Sequence, residues 1–185
     1  MQRRRGNSSA LGTVRSLTVA AMLTAMSVVI GIMCKNFMNF GMGLFRVTFE
    51  NLPIILSGIL FGPVVGGIVG LSSDLISYFM SSQAYPPNLI VTLGALTVGV
   101  CSGLISKHVV KKRSYKQIIL SGAMAHIVGS MIIKPIGLYG YFGILVLWRI
   151  PFYMIIAPIE IILICMMYKN TAFRKILDSI GGSRS

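Results

Sequence analysis

RVTFENLPIILSGILFGPVVGGIVGLSSD, residues 46–74, is too apolar for the surface of a water-soluble protein, yet it starts at Arg46, carries Glu50 and ends at Asp74. Gly62-Pro63 divides it into two segments, each long enough to cross most of a bilayer as a helix. Ionisable groups beside lipid-facing sequence are costly unless they have a partner or a task, so their presence marks a candidate site.

The whole chain extends this pattern. Of 185 residues, 55% are hydrophobic and only 11% charged, with a mean hydropathy of +0.81. A soluble domain carries roughly 25% charged residues. Six apolar stretches account for the sequence: Leu17–Cys34, Val47–Phe61, Pro63–Met80, Asn88–Lys107, Lys116–Lys134 and Trp148–Tyr168. The expected fold is an all-α integral membrane bundle of six helices. Its membrane domain covers 15–177, between polar tails at 1–14 and 178–185.

The net charge is +13, and placement decides what it means. Arg3, Arg4, Arg5 and Arg15 precede the first crossing. Lys107, Lys111, Lys112, Arg113 and Lys116 share the loop between the fourth and fifth, and Lys169, Arg174, Lys175 and Arg184 follow the sixth. Even numbers of crossings separate these clusters, so the positive-inside rule puts both termini in the cytoplasm of a prokaryotic cell membrane. Nucleic-acid binding would need basic residues interleaved with stacking aromatics on one face, and no such face exists.

Chemistry is sparse. No GxxxxGK[ST] occurs, since GGIVGLSSD has glycines but no lysine, so the chain has no nucleotide-binding loop of its own. No HExxH, GxSxG or carboxylate pair within one helical turn supports an enzyme. Cys34, Cys101 and Cys165 are far apart in apolar sequence and read as small buried hydrophobes, with no metal or disulfide pattern. His126 reads as a satisfied polar contact within the fifth crossing. Leu17–Cys34 is long for a signal-peptide core and lacks a cleavage site, so it reads as the first crossing.

The four remaining basic residues, Lys35, Arg46, Lys134 and Arg149, lie at the outer ends of crossings. Arg46 and Glu50 have the i,i+4 spacing of a helical ion pair. Lys134 and Arg149 have no acidic neighbour in sequence and flank a glycine- and aromatic-rich segment, 135–147, expected as an outer connection. Cations beside aromatic rings suit a ligand that is planar at one end and anionic at the other. Gly66/Gly70 and Gly99/Gly103 have GxxxG spacing, and Ala125/Gly129 is a small-xxx-small pair; both are signs of close helix packing. Ala21 and Ala25 form a further AxxxA on the first crossing.

Three blocks, taken in order, carry a resemblance: 46–74, AYPPNLIVTLGALTVGVCSGL at 84–104, and WRIPFYMIIAPIEIILICMMY at 148–168. They resemble the folate-specific substrate-binding S components of energy-coupling factor (ECF) transporters, through Arg-x-x-Phe-x-x-Leu-Pro, Phe-Gly-Pro, Gly-x-x-x-Asp and Pro-Ile-Glu elements. The resemblance implies a non-enzymatic subunit, without a cofactor, that captures folate from outside. Delivery inward would need a transmembrane scaffold subunit and two ATPase subunits, which bind the ATP. It implies substrate contacts at Arg46, Phe49, Asp74, Tyr85, Asn88, Lys134, Arg149 and Tyr153, and scaffold docking at Ala21 and Ala25. Lys134 and Arg149 would meet carboxylates, and Arg46, Phe49 and Asn88 the ring. Asn88 stands where the family pattern has an aromatic. Asp74 has a second reading as a bundle-stabilising residue, and Glu160 reads as structural. Two alternatives remain open: an S component for another vitamin such as riboflavin, and a small homodimeric secondary transporter coupling ions through Asp74 or Glu160.

Overall fold

The computed structural model describes residues 3–37, 39–40, 45–46, 48–80, 88–108 and 115–170, with side chains at 14–37, 48–80, 88–108 and 115–170. Six helical rods account for these residues. α1 (Arg3–Phe37) is followed by two short antiparallel strands, β1 (Asn39–Phe40) and β2 (Phe45–Arg46), pairing Asn39 with Arg46 and Phe40 with Phe45. Then come α2 (Asn51–Phe61), α3 (Pro63–Phe79) and α4 (Leu89–His108). The fifth rod is composite: α5 (Tyr115–Ala125), a π-helix (His126–Ile133) and α6 (Lys134–Phe142). A 3₁₀ segment, Gly143–Trp148, turns the chain into α7 (Arg149–Lys169).

The protein is an all-helical, multi-pass membrane protein. Val14–Phe37, Leu89–His108 and the helical stretch Tyr115–Lys169 are long and apolar enough to cross a bilayer. Many large apolar side chains face outward, among them Val64, Phe79, Leu89, Met154 and Ile155. Buried positions include serines, lysines and carboxylates beside the apolar core. Lipid satisfies the exterior, and many of the buried polar groups pair within the bundle.

α2 is 11 residues, about 16 Å, too short to span a core of about 30 Å, and it is buried on almost every side. Helices apolar all round belong inside a bundle, and α2 packs against α1, α3, α4, α5 and α7. The α2–α3 turn needs Gly62, whose φ of 93° is left-handed, and Pro63 then opens α3 without a missing hydrogen bond.

The GxxxG spacings do what their residues predict. Gly66 and Gly70 of α3 face Gly99 and Ala95 of α4, backbone against backbone. A Cβ on Gly99 would lie 2.0 Å from the Gly66 carbonyl oxygen, which no rotamer change relieves. Gly99→Ala is therefore expected to destabilise the bundle by about 1–3 kcal/mol, lowering Tm by roughly 3–10 °C. Thermal unfolding in detergent measures this; an unchanged Tm would show that the two helices part freely.

Two boundaries differ from the sequence reading. The helix containing the first crossing begins at Arg3, well before Leu17. Residues 135–147, expected as an outer connection because of their prolines and glycines, continue the fifth rod as α6 and the 3₁₀ segment. Pro135 has no N–H for the Met131 carbonyl, and the wider π winding lies in the turns just before it. The reversal comes only at Gly143, where φ is 58°. The C-terminal tail, 178–185, lies outside the described residues.

Candidate functional site

Charged side chains from five rods converge at one end of the bundle. Lys35 ends α1, Glu50 precedes α2, Asp74 lies in the second half of α3, Lys134 starts α6 and Arg149 starts α7. All line one cavity, together with Leu75, Tyr78, Phe79, Asn88, Val91, Thr92, Leu138 and Tyr153. Among the described residues, Lys107 near the end of α4, Lys116 at the start of α5 and Lys169 at the end of α7 lie at the opposite end. By the positive-inside rule the cavity therefore opens toward the outside.

Glu50 is the hub. Its Oε1 lies 3.5 Å from Lys134 Nζ, and that ammonium also donates to Asn51 Oδ1 at 3.1 Å. Asn51 in turn approaches Ser130 Oγ of the π-helix at 3.4 Å. Ser27 of α1 donates to the Glu50 backbone carbonyl at 2.7 Å. Gly31, also on α1, leaves room for the carboxylate, since a Cβ there would sit 3.0 Å from Glu50 Oε2. Lys35 donates to Ser77 Oγ of α3 at 2.6 Å. Thr92 of α4 donates to Asp74 Oδ2 at 2.8 Å, tying α3 to α4.

The structure brings Asp74, Asn88, Lys134, Arg149 and Tyr153 together, as the sequence proposed. Others fall differently. Phe49 sits half-buried in the turn before α2 and is not among the described residues lining the cavity. Arg46 lies on β2, which packs beside α7, but its side chain is outside the described set, as is all of Tyr85. The acid at Glu50, which the spacing also places within reach of Arg46, is met by Lys134 from 84 positions away. Asn88 uses its amide within the bundle: Oδ1 accepts from the Ile90 N–H at 2.9 Å, starting α4, and Nδ2 donates to the Gly137 carbonyl, bracing α4 against α6. Asp74 both lines the cavity and braces the bundle.

Sequence reasoning did not place Glu50, Lys35, Tyr78 and Thr92 in this cavity, nor Asn51 beside Lys134. The usable signal was the acid count. With only four acidic residues in the chain, each one inside a crossing is a site candidate by cost alone.

The cavity's free space is about 40 Å³, room for one or two waters. A larger cavity of about 900 Å³ lies between α5, the π-helix and α7, but its lining is almost wholly apolar. Convergent charges make the smaller one the candidate recognition site, and any ligand larger than a few waters would have to move side chains to enter it. Near the middle of the same two rods, His126 Nε2 and Glu160 Oε2 lie 2.7 Å apart, both fully buried. The contact is off hydrogen-bond alignment, and His126 Nδ1 and Glu160 Oε1 have no partner among the described residues. No disulfide joins the three cysteines, and no group of metal-ligating side chains occurs among the described residues.

Residues 15–180 match the family model described as "ECF transporter, substrate-specific component". The folate transporter FolT of Clostridium novyi is 26% identical over 161 residues, which are 84% of this chain and 91% of that protein. An uncharacterized protein of Mycoplasma pneumoniae, the MG098 homolog, is 26% identical over 121 residues. That match takes 65% of this chain but spans only 22% of the relative's length. A crystal structure of FolT bound with folic acid shares the fold, with a TM-score of 0.61 at 24% identity over 80% of this chain and 88% of that one.

Proposed function

The chain belongs to the substrate-specific S components of ECF transporters, non-enzymatic membrane subunits that bind vitamins and associate with an ECF module, and on that footing we propose that its vitamin is folate. The observation that carries this reading is the cavity built by Lys35, Lys134, Arg149, Glu50 and Asp74. Three cations against two carboxylates leave an excess of positive charge at the outer mouth. The glutamate end of folate supplies anions for Lys134 and Arg149, and Tyr153 and Tyr78 offer ring faces to a flat heterocycle. The similarity to the folate transporter of Clostridium novyi supports the same ligand. In this reading an external folate displaces the internal contacts of Lys134, and a scaffold subunit with two ATPases drives its release inward.

The test is direct binding of folate to the purified chain, with riboflavin and other vitamins as competitors. Tight, saturable binding displaced only by folates is the expected result. Binding of riboflavin in preference would reassign the ligand within the family. Reconstitution should give uptake only with the ATPase module present; uptake by the chain alone under an ion gradient would instead establish the secondary-transporter reading.

Ala21 and Ala25 lie exposed on one face of α1, bordered by exposed Leu17, Met22 and Val29. We place scaffold docking there. Ala21→Trp or Ala25→Trp should leave folate affinity of the isolated chain unchanged. Uptake by the complete transporter should fall about tenfold or more, equivalent to ~1.4 kcal/mol of docking. Loss of binding and uptake together would indicate a misfolded α1 instead.

A further inference from the structure

The groove between the fifth rod and α7 has no part in the vitamin site. Tyr115, Ile119, Ala123, Ile127 and Met131 form one wall, and the other runs from Met154 along α7 to Lys169. From Met154 to Lys169 is about 22 Å of helix, more than one leaflet of a hydrocarbon core about 30 Å thick. The space, about 900 Å³, is an open groove along the outer surface of the two rods. Small residues make room for it: Ala123 and Ala157 line it, and the rods meet closely where Gly122 faces Ile161. Met131, Met154 and Met166 give walls that adapt to a flexible chain.

One end of the groove is chemically distinct. Lys169 belongs to the lining and is exposed, and Lys116, next to Tyr115, is exposed too. The stacked pair Tyr115–Tyr168, with ring centroids 5.6 Å apart and nearly perpendicular, bridges the two rods there. This end faces the cytoplasm by the positive-inside rule. Basic pockets between transmembrane helices on that side bind anionic headgroups. An apolar groove of acyl-chain length that ends at Lys169, with Lys116 exposed at the start of the neighbouring helix, is complementary to one class of molecule.

We propose that this groove is a binding site for an anionic phospholipid of the inner leaflet, with an acyl chain between α5 and α7 and its phosphate at Lys169 and Lys116. The acyl chain then also lies over His126, which lines the groove and is already shielded from solvent together with Glu160. A helix from a second copy would fill the apolar part but would have no use for the lysine cap.

Delipidated protein is loaded with phosphatidylglycerol or with phosphatidylcholine of identical acyl chains, and retained lipid is counted by native mass spectrometry. The wild-type chain should retain one phosphatidylglycerol, in roughly tenfold or greater preference over phosphatidylcholine. Lys116→Glu with Lys169→Glu should abolish that preference without altering the melting transition. Ala123→Phe, which fills the groove, should lose both lipids. Equal retention of the two lipids by the wild type marks ordinary annular lipid and overturns the site. So does undiminished phosphatidylglycerol retention in the charge-reversal variant, or a dimer forming in place of lipid loading.

Discussion

Arg149→Ala should weaken folate binding by about 30- to 5,000-fold, the equivalent of about 2–5 kcal/mol. Arg149 is buried, stands at the first turn of α7 and lines the charged cavity. An anion entering that cavity loses its hydration, and a guanidinium compensates with two parallel donors at fixed spacing. Arg149→Lys keeps the charge but not the fork, so it should recover only part of the loss. Isothermal titration on variants with a wild-type melting transition measures the effect. Affinity unchanged in a folded Arg149→Ala protein would remove this residue from the site. Comparing folate with an analogue lacking the glutamate separates roles further. The variant should lose discrimination between the two if Arg149 meets the carboxylates, and should keep it if Arg149 meets the ring.

Local patterns were legible in the sequence, and long-range pairing was not. Gly62-Pro63 and the two GxxxG spacings state their geometry in a few adjacent residues, and the α2–α3–α4 core follows them. Charge placement gave topology for the same reason: it needs only the order of clusters along the chain. Glu50 shows the limit. Its spacing from Arg46 is a local signal, whereas its contact with Lys134 depends on how α2 sits against the fifth rod. Residues 135–147 were misread because prolines and glycines end helices in water. Within a membrane bundle Pro135 is accommodated by a change of winding, and the rod continues. Lys134 and Arg149 both line the cavity, and each drew notice in the sequence because a cation at the outer end of a crossing has few reasons to be there other than a partner or a ligand.

Glu160→Ala should be the most destabilising single substitution in the bundle outside the vitamin site. Glu160 and His126 are both fully solvent-excluded, and each is the other's nearest counter-charge. Whichever holds the shared proton, removing the carboxylate leaves an imidazole buried in apolar surroundings with neither nitrogen partnered. Breaking a buried pair from one side costs about 3–5 kcal/mol, which for a chain of this size lowers Tm by roughly 6–20 °C. Replacing both members by apolar residues of similar volume, His126→Leu with Glu160→Met, removes the desolvation cost as well as the attraction. That double variant should regain most of the lost stability. A double variant as unstable as the single one would mean that volume, not charge, holds the fifth rod to α7 at this depth. The double variant also asks what the pair is for. His126 lies two turns before Lys134 in the fifth rod, and Glu160 lies three turns beyond Arg149 in α7. A pair fixing the register of these rods sets the separation of the two cations that meet the ligand. Folate affinity should then fall in the stable double variant, although neither substitution touches the cavity. Wild-type affinity there would confine His126 and Glu160 to holding the bundle together.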